Sequence, residues 1–159
     1  MSAWRPRYLR RILALALAAA VGTIALVLVF GSHSLIVHPD DPCTERPPLV
    51  TREGVTLQPV AMRAFRRAQR RAHGAISVVQ SYRSCAQQAE ACRSICGNAE
   101  GCPGRCAKPG TSYHQLGAAI DITQESLDTS GVILALRQAG WCQSEPKNDP
   151  GHFSFDGCH

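Results

Sequence analysis

The sequence predicts an α+β fold in which a small antiparallel sheet carries helices packed on one side. Short β-branched runs and helical patterns are mixed without the regular period of a parallel α/β fold. All eight cysteines follow residue 42, as in disulfide-rich exported domains. An uncharged apolar segment precedes them and predicts one transmembrane helix ahead of the folded domain.

The apolar segment runs for nineteen residues, 12–30. As a helix it would rise about 28 Å, enough to cross a bilayer. Residues 1–11 carry four arginines and no acidic residue, so we expect this basic segment to stay cytoplasmic and the rest of the chain to lie outside the cell membrane. A cleaved signal peptide, cut near "ALAAA", is the alternative, although signal segments are usually shorter. A buried core helix is disfavoured because the run has no polar face.

The cysteines predict disulfides, since their number is even and the chain is predicted to be exported. A structural zinc site is the alternative, because four of them are closely spaced, but the spacings differ from those of zinc ribbons. A bridge between Cys142 and Cys158 is the one pairing that we expect. The eight cysteines are Cys43, Cys85, Cys92, Cys96, Cys102, Cys106, Cys142 and Cys158.

The net charge of +5 does not indicate a nucleic-acid partner. Four of the seventeen basic residues are the N-terminal arginines, and the remaining thirteen face twelve acidic residues. One local basic run, "RAFRRAQRRAHG", is predicted to form the outer face of a helix. It is typical of a solvated surface, and attraction to an anionic wall polymer is the functional alternative.

Residues 31–56 are rich in proline and charge and are predicted to be a linker to a domain at 57–159. The order of elements that we expect in this domain is a helix at 57–73, a strand at 75–82, a helix at 84–96, a loop at 97–112, a strand at 118–123, a helix at 126–140 and a strand at 152–155.

The segment "TSYHQLGAAID" contains the first candidate residues for a metal site. His114 and Asp121 lie on either side of a turn at Gly117, and an imidazole with a carboxylate can ligate Zn²⁺. His152, at the head of the last strand, offers a third ligand. Spacing alone is a weak signal for such a site, and the alternative is a partly buried His114 that is hydrogen-bonded to the backbone and an Asp121 that caps a turn.

Three segments together resemble a known family. "SYHQLGAAID" fits a SxHxxGxAxD signature, "SYRSCAQQ" resembles a SxYRSxxxQ segment, and "GWCQSEPKNDPGHFSF" resembles a closing segment with an acidic residue three before a histidine. They occur in the order found in the VanY-like D-alanyl-D-alanine carboxypeptidases and related zinc murein peptidases. The resemblance extends over residues 57–158.

The resemblance implies a zinc peptidase domain with a defined set of site residues. His114, Asp121 and His152 would bind Zn²⁺, Asp149 would be the general base, and Arg83 would contact the scissile carbonyl. Ser112 and Gln88 match positions that line the substrate pocket. The chain departs from the family pattern in two places. Carboxypeptidase members usually have Glu where this chain has Asp149 and often Trp where it has Gly151, and the cysteine-rich insert between Arg83 and His114 matches no standard disulfide pattern of the family. Glu145 is the alternative base.

The function that we expect is cleavage of peptide stems of cell-wall peptidoglycan by a membrane-anchored zinc enzyme, favoured as a D-alanyl-D-alanine carboxypeptidase. An endopeptidase of the L-alanyl-D-glutamate type is the alternative, since relatives with Asp at the base position resemble phage peptidases. A non-catalytic wall-binding module and a disulfide-rich interaction domain with an accidental motif are two further alternatives.

Overall fold

The computed structural model describes residues 36–156. The predicted basic segment, the predicted transmembrane helix at 12–30 and Cys158 lie outside the described residues. Between residues 36 and 156, no helix is long and apolar enough to span a membrane.

The central feature is a four-stranded antiparallel sheet of order β3–β4–β6–β5, accompanied by a separate two-stranded hairpin of β1 and β2. With its helices, this confirms the predicted α+β class. The strands are β1 Val50–Arg52, β2 Val55–Leu57, β3 Val78–Gln80, β4 Ala119–Ile122, β5 Trp141–Cys142 and β6 His152–Phe155.

The alternation of side chains along the strands gives the sheet two unlike faces. Ile120 pairs with Phe153 across β4 and β6, and both belong to the hydrophobic core. The neighbouring pair, Asp121 and His152, therefore points to the opposite face. Because the register is fixed by the buried pair, the sheet also fixes the position of the two polar side chains.

Helices cover the apolar face. α1 (Pro59–Arg71) buries Ala64, Phe65 and Ala68, and α4 (Val132–Gln138) buries Leu136 in the same core. α2 (Cys85–Cys96) starts at a capping box between Ser84 and Gln87 and contributes no residue to that core. One short helix, α3 (Gln124–Asp128), completes the set.

The helix predicted at 126–140 is two helices, α3 and α4. Thr129 follows the C-terminus of α3 in an extended conformation, and Gly131 begins α4 with a φ of 85°. A residue with a left-handed backbone conformation cannot continue an α-helix, so the helix is interrupted between α3 and α4. The sequence prediction missed this break, although the polar stretch at 128–131 (DTSG) ends in a glycine, which is typical of a turn.

Part of the predicted linker is packed on the domain. Ile36 is 5 % exposed within the core, and the backbone of Val37 exchanges hydrogen bonds with the side chain of the buried Gln58. The hairpin β1–β2 also lies in the predicted 31–56 segment except for its last residue, Leu57, which is the first residue of the predicted helix. This proline-rich and charged segment is therefore partly packed on the domain, and the side chain of the buried Gln58 binds its backbone.

Three disulfides join the described residues: Cys43–Cys85, Cys92–Cys106 and Cys96–Cys102. The last two bridges use the four closely spaced cysteines that a structural zinc site would have needed, so that alternative is excluded. Cys142 is also disulfide-bonded; its predicted partner, Cys158, lies outside the described residues. The bridges at 92–106 and 96–102 close the loop after α2, which has few apolar residues to hold it.

Candidate active site

The turn at Gly117 delivers His114 to the site. Gly117 has a φ of 65°, and its N–H donates to the carbonyl of His114 at 3.1 Å. A Cβ at Gly117 would lie 3.0 Å from the backbone nitrogen of Gln58 and still closer to the side chain of Leu49. Both the conformation and the close approach require glycine here. The glycine of the signature thus sets the path of the chain between two candidate ligands.

Three candidate ligand atoms converge above the polar face of the sheet. Nδ1 of His152 lies 2.9 Å from Oδ1 of Asp121, and Nε2 of His114 lies 3.3 Å from each of these atoms. The structure therefore brings together the three residues that the sequence pattern singled out. Among the described residues they are the one group of histidine, cysteine and acidic side chains arranged to hold a metal ion.

The backbone decides which nitrogen of His114 faces the site. Nδ1 lies 2.6 Å from the carbonyl oxygen of Ser81, which can only accept, so Nδ1 carries the proton in the neutral ring. Nε2 then presents a lone pair to Asp121 and His152. A carbonyl behind a metal-ligating imidazole is the usual device for fixing its tautomer. The ring is 3 % exposed and is held in this orientation.

Asp121 stays ionised in this setting. Burial raises the pKa of its carboxyl, but hydrogen bonds and charge from His114 and His152 outweigh burial and hold the pKa well below its ordinary value. When His114 is neutral, the lone pair of its Nε2 and the carboxylate oxygen face each other at 3.3 Å, and either protonation of the ring or a bound cation removes this repulsion. The arrangement can therefore hold a cation.

The donor set fits zinc. A tetrahedral Zn²⁺ with bonds of about 2.0–2.1 Å keeps its ligand atoms roughly 3.3 Å apart, close to the 2.9 and 3.3 Å separations present here. Two imidazoles and one carboxylate are also typical zinc ligands, and three protein ligands leave a fourth position open. His114, Asp121 and His152 are thus the residues that could hold the ion.

Arg83 lies beside the ligand set and is held by three acceptors. Its guanidinium donates to the side-chain oxygens of Gln80 and Gln88, each at 2.8 Å, and lies 3.7 Å from Oδ2 of Asp121. Burial lowers its pKa, while the nearby charges of Asp121 and Asp149 oppose that shift. Its Nε atom is buried and has no hydrogen-bond partner. A positive charge held by two glutamine side chains therefore lines the cleft.

Gln88 reaches Arg83 from α2. It is 2 % exposed, and its amide nitrogen donates to the carbonyl of Ala107 at 2.8 Å while its oxygen accepts from Arg83. Ala107 follows Cys106, whose disulfide ties the loop to α2. Gln88 thus links the disulfide-closed loop to Arg83. Ser112 is also buried, and its hydroxyl accepts from the backbone N–H of His114 at 3.3 Å.

Asp149 differs from the other site residues because it is exposed. Its backbone N–H donates to the carbonyl of Glu145 at 2.8 Å, and its own backbone carbonyl accepts from the N–H of His152. Gly151 is packed so closely on β4 that a Cβ there would lie 3.0 Å from the carbonyl oxygen of Ile122. A tryptophan at this position would require β4 and the closing segment to move apart.

All of these groups line one open cleft of about 1340 Å³. That volume exceeds the roughly 300–1,000 Å³ of small-molecule pockets and suits a peptide. The disulfide-closed loop forms part of its wall, and Glu145 lies on its rim with the closing segment. The cleft contains every site residue predicted from the sequence: Arg83, Gln88, Ser112, His114, Asp121, Asp149 and His152.

Sequence reasoning missed Gln80 and Ser81. Gln80 pairs with Asp121 across β3 and β4 at a β-bulge, which accounts for its position beside Arg83. A polar residue three before the predicted catalytic arginine was a possible signal for Gln80. No such signal exists for Ser81, because its contribution to His114 is made by a backbone carbonyl that any residue would supply.

Comparison with known proteins agrees with this geometry. The family described as VanY, D-alanyl-D-alanine carboxypeptidase, matches residues 56–148. The chain belongs to the VanY family. The match includes Arg83, His114 and Asp121, and it excludes the interpretation of the signature as accidental. VanY-family proteins are peptidases that are zinc-dependent in general. No curated protein matches the chain.

Two solved structures resemble the VanY-family domain described here. One is the vancomycin-resistance D,D-dipeptidase VanXYg in complex with a D-Ala-D-Ala phosphinate analogue, with 18 % identity and a TM-score of 0.51 over 78 % of this chain and 62 % of that one. The other is the LD-carboxypeptidase LdcB, with 19 % identity and a TM-score of 0.49 over 75 % and 66 %. The chain thus spans somewhat under two thirds of each. The VanXYg likeness supports the fold.

Proposed function

We propose that the chain is a zinc-dependent peptidase that cleaves the peptide stems of peptidoglycan, as a D-alanyl-D-alanine carboxypeptidase. The observation that carries the proposal is the convergence of His114 Nε2, Asp121 Oδ1 and His152 Nδ1 within 3.3 Å in a peptide-sized cleft. The activity by which the VanY family is described, and the D-Ala-D-Ala analogue bound by VanXYg, support the choice of substrate.

In this proposal, different residues of the chain have different roles in the reaction. His114, Asp121 and His152 would hold Zn²⁺, which when bound polarises a carbonyl and lowers the pKa of water. Asp149, which lines the cleft, would take a proton from the attacking water and return it to the leaving amine. Arg83 would stabilise the negative charge that develops on the scissile carbonyl oxygen.

A murein endopeptidase is the second candidate, favoured by two observations. Asp149 is shorter than the glutamate usual in carboxypeptidases, and the cleft is open beyond the ligand set, toward Glu145 and the loop at 100–108. D-alanyl-D-alanine carboxypeptidase is the activity by which the VanY family is described. This is why carboxypeptidase activity remains the first choice.

We also propose that residues 12–30 anchor the enzyme in the cell membrane with the 57–159 domain outside the cytoplasm. The four arginines before the apolar run and the three disulfides after it support this orientation. Cleavage of the domain, but not of the N-terminus, by protease added outside intact spheroplasts is the expected result.

The test of the activity uses the full chain in a neutral detergent. Zinc is measured by elemental analysis, and muropeptides are then incubated with the protein, with and without a chelator. We expect one zinc per chain and release of free D-alanine that stops with chelator and returns with zinc. Products cut inside the stem would favour the endopeptidase, and bound zinc without any cleavage would favour a wall-binding module.

A further inference from the structure

Helix α1 presents a concentrated positive surface that the proposed reaction does not use. Five of its thirteen residues are arginines, all of them exposed, and the helix contains no acidic residue. They lie within about 12 Å along the helix axis. We call this surface the arginine face; it consists of Arg63, Arg66, Arg67, Arg70 and Arg71.

No negative charge compensates the arginine face within the described part of the chain. The ion pairs found there involve Asp121 and the pair Arg93–Glu90, and none includes an arginine of α1. Arg67 donates to the carbonyl of Ala139 at 3.4 Å, and with Arg70 and Arg71 it lines a shallow hollow. Like charges four residues apart on a helix repel one another. An anionic partner would relieve this repulsion.

The arginine face and the cleft lie on different sides of the sheet. α1 packs into the core on the side of Ile120 and Phe153, whereas Asp121 and His152 point to the other side. A partner bound to the arginine face would therefore leave the cleft open.

We infer that the arginine face binds a linear polyanion of phosphodiester units, such as an anionic cell-wall polymer. Guanidinium groups bind phosphate oxygens through two parallel hydrogen bonds, and a row of charges along a helix suits a partner whose charges are also in a row. The polymer would hold the enzyme at the wall while the cleft acts on peptide stems. The inference that the polymer belongs to the cell wall rests on the proposed function, but the inference that the arginine face binds a polyanion does not.

The test measures binding of the full chain, in neutral detergent, to poly(glycerol phosphate) over a range of salt concentrations. We expect binding that weakens steeply with salt. The variant Arg66→Gln/Arg70→Gln/Arg71→Gln should bind about a hundredfold more weakly, from roughly fivefold per arginine. It retains Arg67, which contacts Ala139. Its unfolding midpoint should not fall, because repulsion is relieved, and its muropeptide cleavage should not change.

The matched control is Arg46→Gln/Arg52→Gln/Arg93→Gln, which removes the same charge from exposed positions outside α1. It should lose less than about threefold in affinity, because nearby charges dominate such binding. Equal losses in both triple variants, or no binding at low salt, would overturn the proposal. So would equal affinity for polyglutamate of the same length, which lacks phosphate, or tighter binding to vesicles of anionic phospholipid. None of these binding measurements depends on peptidase activity.

Discussion

The candidate ligands and the candidate base are built in different ways. His114, Asp121 and His152 lie at the sheet, are largely buried and contact one another, and a carbonyl orients His114. Asp149 lies in an exposed turn of the closing segment, and no hydrogen bond of its side chain is present among the described residues. The difference teaches that the fold determines the position of the candidate ligands closely and constrains the candidate base much less.

The largest expected effect tests the ligand side. Asp121→Ala removes the only carboxylate of the ligand set, so we expect loss of bound zinc and a fall in muropeptide cleavage of at least about 10⁴-fold. Elemental analysis and amine release measure the two effects. Asp128→Ala, at an exposed acid on α3, is the control and should change neither. Full zinc occupancy in Asp121→Ala would remove this residue from the site.

The second test addresses the base. Asp149→Asn should lower kcat about 10²–10⁴-fold, because the proton acceptor is lost while the ligands are untouched. Zinc content should stay at the wild-type level. Glu145→Gln, four residues earlier on the same rim, should keep most of the activity. If Glu145→Gln is the inactive variant and Asp149→Asn is active, the roles of the two acids are exchanged.

The third test removes the fixed positive charge. Arg83→Ala should lower kcat/KM about 10²–10³-fold with zinc retained, since one donor to a developing oxyanion contributes roughly 3–4 kcal/mol. Arg93→Ala, on the exposed side of α2, is the control. A variant Arg83→Ala with wild-type kcat and a raised KM would show that Arg83 binds substrate without stabilising the transition state.

A smaller effect is expected for Gln88, which positions Arg83. Gln88→Leu leaves Arg83 and the carbonyl of Ala107 each without one partner, so we expect about a tenfold loss in kcat with zinc retained. Gln88→Glu keeps the acceptor for Arg83 and should recover part of that loss. Gln138→Leu, exposed on α4, is the control. Equal kcat in Gln88→Leu and Gln88→Glu would argue against positioning through Arg83.

The last test concerns stability. The disulfides close loops of 42, 14 and 6 residues, so their removal should destabilise the domain by about 4, 3 and 2 kcal/mol in that order. Urea unfolding of paired Cys→Ala variants measures this. Loss of Cys92–Cys106 should also lower kcat, because it frees the loop that Gln88 contacts, while loss of Cys96–Cys102 should not. Equal changes of kcat on loss of Cys92–Cys106 and of Cys96–Cys102 would show that the loop does not act on Arg83 through Gln88.

The sequence predicted much of the fold because its local signals were strong. Ser84 and Gln87 mark the start of α2, and the exposed arginines and buried alanines of α1 follow the helical period. It failed where a signal is weak or non-local. The break at Gly131 is marked only by a short polar stretch at 128–131, β5 has only two residues, and the attachment of Ile36 depends on Gln58, more than twenty residues away.

The sequence by itself determined which residue types are available to the site, since the spacing of His114, Asp121 and His152 and the family signature are properties of the chain. Only the tertiary structure decided their geometry. The pairing of β4 with β6 places Asp121 opposite His152, and the carbonyl of Ser81 selects the nitrogen that His114 presents. The reason is physical: strand register and backbone hydrogen bonds join residues distant in sequence, and their partners leave no mark in the local pattern.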